Sequence, residues 1–131
     1  MTHLARRLRT VLFAVAGLLM TVAGAVAEVK LIMFDRHGCY YCERWKAEIM
    51  PAYLKSPEGK IAPLEILDID DVLPEGLKLA SRPSLSPTFV LIDDNREVAR
   101  IEGYPGDEMF WWMLDGMLAR LPEEKRQEPE T

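Results

Sequence analysis

The apolar and polar positions of this chain change period several times, and each change marks an element. Val29–Phe34 is a short, nearly continuous apolar run of the kind that forms a buried strand. Asp35-Arg36-His37-Gly38 reads as a turn. From Cys39 onward the apolar positions Cys42, Trp45, Ile49 and Tyr53 recur at steps of three and four, which predicts a helix with one buried face. Pro51 kinks or ends that helix, and Ser56-Pro57-Glu58-Gly59 reads as a loop. Leu64–Ile69 predicts a second strand, and a short helical piece is expected around Glu75–Ala80.

After an irregular stretch from Ser81 to Pro87, Thr88–Ile92 is a strand rich in β-branched and aromatic residues. Asp93–Arg96 turns the chain into a partner strand, Glu97–Glu102. Gly103-Tyr104-Pro105-Gly106 breaks the pattern. Asp107 is expected to cap a last helix whose stripe is Phe110, Met113, Leu114, Met117, Leu118 and Leu121. One of Trp111 and Trp112 belongs to the core and the other faces outward. The order β-α-β-(α)-β-β-α predicts an α/β fold: a mixed sheet of about four strands with helices on both faces, its first βαβ unit parallel and its hairpin antiparallel.

The segment before Val29 has a different character. Arg6, Arg7 and Arg9 precede an apolar stretch from Val11 to Ala27 that closes on Ala25-Val26-Ala27. A basic start, an apolar middle and a small-x-small end read as a secretory signal peptide over residues 1–27, cleaved before Glu28. The alternative is a retained membrane anchor, which needs about 20 apolar residues to span. The remaining domain is expected over residues 28–121, followed by a charged, disordered tail over 122–131.

Composition narrows the function. The chain carries 16 Lys+Arg against 21 Asp+Glu, a net charge of −5 that argues against a nucleic-acid surface. Loss of the leader takes three arginines and no acid, leaving 13 against 21. A monomeric, exported protein is expected. Its only cysteines are Cys39 and Cys42, so multi-disulfide scaffolds and four-cysteine zinc sites are excluded.

Cys39-Tyr40-Tyr41-Cys42 carries the chemistry. A cysteine that opens a helix aims its sulfur at unpaired N–H groups and the positive end of the helix dipole, and both stabilise a thiolate. Cys42, one turn on, is within reach of a disulfide. The pair therefore suits thiol–disulfide exchange, with Cys39 attacking and Cys42 resolving, and no cofactor beyond the disulfide itself. Two other readings stay open. A structural staple gains little from so short a loop. A zinc site would need His37 and a carboxylate beside the two thiols, and no metal is expected.

In this setting (a strand, a short turn, a CxxC opening a helix, then Pro87-Thr88 leading a strand pair that runs to Gly103) the chain resembles the thioredoxin superfamily. That resemblance implies a minimal thioredoxin-like fold and a cis Ser86–Pro87 bond beside the sulfurs. It also implies that Ser86 offers its backbone to an extended substrate, with Tyr40 and Tyr41 shaping the surface around the sulfur. Three departures stand out. Only residues 28–38 precede Cys39 once the leader is gone, too few for the extra N-terminal strand and helix of full thioredoxins. The family's buried carboxylate lies six positions before the first cysteine, where this chain has Met33. Asp35 either substitutes for it from a different direction or simply caps the turn. The dipeptide between the cysteines holds two tyrosines, which do little to stabilise a thiolate and so favour a reductant over an oxidant. His37 either lowers the Cys39 thiol pKa as an imidazolium or is an idle turn residue.

More narrowly, His37-Gly38-Cys39-Tyr40-Tyr41-Cys42-Glu43-Arg44-Trp45, with Glu48-Ile49 and Pro51-Ala52-Tyr53, is similar to the SoxS-type periplasmic thioredoxins of bacterial sulfur oxidation. This implies a protein that keeps thiols of the sulfur-oxidising (Sox) proteins reduced and is itself recharged by a membrane thiol-electron transporter. The competing functions are a periplasmic disulfide oxidant or isomerase and a non-catalytic, redox-sensing docking module.

Overall fold

The computed structural model describes residues 28–127, so the expected signal peptide lies outside the described residues. Among the described residues, four strands form one mixed sheet in the order β2-β1-β3-β4. They are β1 (Val29–Asp35), β2 (Leu64–Asp68), β3 (Thr88–Asp93) and β4 (Arg96–Glu102). β1 runs parallel to β2, with Leu31 opposite Leu64, and antiparallel to β3, with Leu31 opposite Leu91. The hairpin between β3 and β4 turns through Asp94 and Asn95, whose φ values of 50° and 60° suit the twist of the strands. The helices are α1 (Tyr40–Glu48), α2 (Met50–Tyr53), α3 (Pro57–Ile61) and α4 (Asp107–Leu118).

Alternation along the two central strands builds two cores. Leu31, Met33, Phe89 and Leu91 point to one face and join Cys42, Trp45, Ile49, Tyr53, Phe110 and Leu114. Ile32, Phe34, Val90 and Ile92 point to the other, where Ile69 is buried and Leu67, Leu73, Leu77 and Leu79 pack on them. Helices were expected on both faces, but α1, α2 and α4 all bury their apolar side chains in the first core. The piece around Glu75–Ala80 is not helical: Pro74 precedes it and Gly76 takes φ +81°. Its leucines cover the second face as an irregular segment instead. Lys78 pairs with the edge of β4, its N–H donating to Asn95 O at 2.8 Å and its carbonyl accepting from Glu97 N–H at 3.0 Å.

Local chemistry sets the helix boundaries. α1 ends at Glu48 and α2 starts at Met50, because Pro51 in the first turn of α2 has no N–H to carry the α1 ladder onward. Ser56–Gly59, expected as a loop, instead opens α3. The Ser56 hydroxyl oxygen accepts from Gly59 N–H at 3.0 Å, and Pro57 occupies the first turn. A Cβ on Gly59 would sit 2.0 Å from Tyr53 O, so the turn admits only glycine there. At α4 the cap is Gly106, with φ +100°, and Asp107 is the first helical residue, its charge next to the positive end of the helix dipole. Trp111 stacks on Tyr53 with ring centres 6.2 Å apart, while Trp112 is 72% exposed. Beyond buried Leu121, Glu123–Lys125 form a 3₁₀ turn in the segment expected to be a disordered tail, and Lys125 pairs with Asp93. Residues 128–131 lie outside the described residues.

Candidate active site

β1 ends at Asp35, the turn reverses through Gly38 at φ +75°, and Cys39 caps α1. The cap is the sulfur itself: Cys39 Sγ accepts from Cys42 N–H at 3.1 Å. A thiolate at that point would take the same bond and the favourable end of the helix dipole. Cys39 and Cys42 form a disulfide, with S–S 2.10 Å and Cα atoms 5.2 Å apart. Their surroundings differ: Cys39 is half-buried, whereas Cys42 is fully buried. Trp45 anchors the helix one turn further along, its ring centre 4.8 Å from Phe89 and 5.5 Å from Phe110.

The loop before β3 shares a groove with Tyr41, which lies between the two cysteines in the chain. The Ser86–Pro87 bond is cis, as the resemblance implies, and Pro87 is buried. Ser86 and Pro87 line a groove of about 280 Å³ with Tyr41, Leu85, Gly103 and Tyr104. Pro87 O accepts from Gly103 N–H at 2.7 Å, which ties the groove floor to the end of β4. Tyr40 and Tyr41 are exposed and meet edge to face, with ring centres 5.3 Å apart. Tyr41 enters the groove wall; Tyr40 stands outside it.

Charged groups surround this surface. Tyr104 donates its hydroxyl to Glu48 at 2.7 Å, Arg44 pairs with Glu48 at 2.9 Å, and the Arg44 guanidinium lies over the Tyr104 ring. The Tyr104 hydroxyl and Arg44 hold the Glu48 carboxyl below its usual range, while burial and Glu48 push the Tyr104 hydroxyl up. On the other side, Lys46 bonds to Asp35 and to Glu43, which raises its ammonium pKa. A carboxylate oxygen of Asp35 and both cysteine sulfurs all lie within 4.8 Å of one another. His37 does not join them; it is exposed on the turn and makes no hydrogen bond or ion pair among the described residues.

Thus the structure joins Cys39 to Cys42 in the disulfide, places Tyr41 in one groove with Ser86 and Pro87, and leaves His37 apart. Sequence reasoning missed Tyr104, Leu85 and Lys46. Tyr104 follows the glycine that ends the hairpin, and Lys46 lies one helical turn after Cys42. Both signals were present, but only the folded chain shows that Tyr104 lines the groove and that Lys46 holds Asp35.

A cysteine pair at a helix start, together with a cis-proline loop leading a strand of a mixed four-stranded sheet, defines a thioredoxin-like thiol–disulfide oxidoreductase. Among solved structures, the chain is similar to the periplasmic thioredoxin SoxS from Paracoccus pantotrophus in its reduced form. The two are 46% identical with a TM-score of 0.70, over 71% of this chain and 98% of that one. No family model matches the chain, and no curated protein does. The chain belongs to the SoxS-type thioredoxins.

Proposed function

We propose that the protein is an exported, periplasmic reductant that keeps the thiols of sulfur-oxidation proteins reduced and is recharged by a membrane thiol-electron transporter. The similarity to a periplasmic SoxS supports the compartment, and the sulfur-oxidation role extends the SoxS-type resemblance. The division of labour rests on one observation: a half-buried sulfur at the helix start, backed by a fully buried one. Cys39 Sγ attacks the substrate disulfide, one substrate sulfur leaves as a thiolate, and Cys42 then attacks Cys39 to release the other. Ser86 and Pro87 seat the substrate backbone, and Tyr40 and Tyr41 meet the partner's surface.

The test is the reduction potential of the Cys39–Cys42 pair in residues 28–131, with turnover of insulin disulfides alongside. A potential near that of thioredoxin, about −270 mV, is expected. A value near about −120 mV would make the protein an oxidant of folding proteins and overturn the proposal. Cys39→Ser is expected to abolish turnover, and Cys42→Ser to trap a mixed disulfide. Stoichiometric zinc binding by the reduced protein without turnover would point to a docking module instead.

A further inference from the structure

A buried thiol attacks a disulfide only after shedding its proton, and apolar surroundings make that loss harder. Cys42 is fully buried in the core that holds Trp45 and Phe89. Position 33, on the strand beneath, holds a buried methionine, which accepts no proton. We propose that Asp35 takes the proton from Cys42 when the mixed disulfide resolves and returns it in the reverse direction, with Lys46 as the positioning residue that holds the carboxylate beside the sulfurs. This rests on thiol–disulfide exchange at Cys39 and Cys42.

The geometry fits the task. The Asp35 carboxylate lies within 4.8 Å of both sulfurs, a span for direct transfer after a small shift or for transfer through one water. Among the described residues, no other carboxylate or imidazole lies that close to both. Both of its oxygens are fixed: Oδ1 accepts from Arg36 N–H at 2.7 Å and Oδ2 from Lys46. The Asp35 side chain is 18% exposed, so its proton has a path to water. The other charges nearby are already engaged. Glu43 bonds to the outer side of Lys46, and Arg36 pairs with Asp70 at 3.0 Å. Asp68, opposite Asp35 on β2, accepts from Asp70 N–H at 2.8 Å. The Lys46 ammonium also offsets the charge of the carboxylate, so that a second negative charge on sulfur is tolerated nearby.

The step balances without a further reagent. With a substrate sulfur bound to Cys39, the Cys42 S–H proton passes to Asp35 and the Cys42 thiolate attacks Cys39 Sγ. The bond from Cys39 to the substrate breaks, and the substrate leaves as a thiolate with the electron pair. The dithiol is oxidised by two electrons and the substrate disulfide is reduced. Asp35 then yields its proton to water or to the departing thiolate.

The experiment is stopped-flow reaction of the reduced protein with a dithiobis(nitrobenzoate) reagent, whose coloured thiolate leaves in two phases. The first phase reports attack by Cys39 and the second reports resolution by Cys42. Asp35→Asn is expected to leave the first phase nearly unchanged and to slow the second about tenfold near pH 6. The gap should narrow as pH rises and hydroxide takes over removal of the thiol proton. Asp35→Glu should recover most of the lost rate. Lys46→Met, which keeps the carboxylate but strips its counter-charge, should move the second-phase profile to higher pH. Coincident profiles for wild type and Asp35→Asn overturn the inference about Asp35. An unmoved Lys46→Met profile overturns it as well, should the Asn variant not fold. Absence of any second phase in the wild type would instead overturn the exchange at Cys39 and Cys42 itself.

Discussion

The two faces of the sheet solve the same problem by different means. One is covered by helices and filled with rings, Trp45, Tyr53, Phe89 and Phe110 packing on one another. The other buries only aliphatic chains and Phe34 under a segment with no helix, and that segment is held by polar clamps. Arg82 donates to Ile69 O at 2.9 Å and to Asp71 O at 2.7 Å. Glu97 accepts from Ala80 N–H at 2.8 Å while paired with Arg100 at 2.6 Å. The disulfide rides on the ring-filled face. Its helix is seated by area buried from water, which does not depend on charge, whereas the covering segment opposite depends on ionised groups and so on pH.

Breaking the ring-filled face should have the largest effect. Trp45→Ala is expected to cost about 3–5 kcal/mol in denaturant unfolding and to depress disulfide turnover, since α1 loses its anchor below the sulfurs. Trp45→Phe should cost less, because the buried indole N–H has no hydrogen-bond partner among the described residues. On the opposite face, Glu97→Gln is expected to cost about 1–2 kcal/mol at neutral pH and to speed hydrogen exchange at Ala80 N–H, with turnover retained. Glu97 also sets a pH window. Its hydrogen bond to Arg100 holds the carboxyl below its ordinary value. The stability it gives is therefore fully present above the unfolded-state value of about 4.3 and is lost as pH falls through the lower folded value. The Gln variant should show a flatter acid limb in its stability profile, and an unchanged limb would remove Glu97 from the clamp. Ile92→Val, also under the covering segment, should cost the least, about 0.5–1.5 kcal/mol, again with turnover intact.

What could be read from the sequence follows the same division. The strands, α1 and α4 carry strong periods of two or of three to four, and the CxxC at a helix start states its own chemistry. The covering segment, expected as a helical piece around Glu75–Ala80, is irregular instead. Pro74 and Gly76 oppose a helix there, and pairing at Lys78 gives the backbone a partner in β4. α3 went unseen because five residues are too few to show a period, although Ser56-Pro57 is a helix-start signature. Asp35 was legible only as a choice between two roles. In the fold it bonds the turn at Arg36 N–H and also stands beside the sulfurs, a convergence set by where β1 ends relative to α1.

The direction of β1 has a further consequence, for handling the protein. At one end of this strand, Glu28 O accepts from Asp94 N–H at 3.1 Å, and Lys125, near the end of the described chain, is tied to Asp93, the partner of Val29. The disulfide sits at the opposite end, beyond Asp35. At roughly 3.3 Å per residue, the strand separates the two poles by about 20 Å. A bead, electrode or fusion partner joined near Glu28 therefore attaches at the pole away from the chemistry and leaves the disulfide facing outward, free to meet a protein as large as its own carrier.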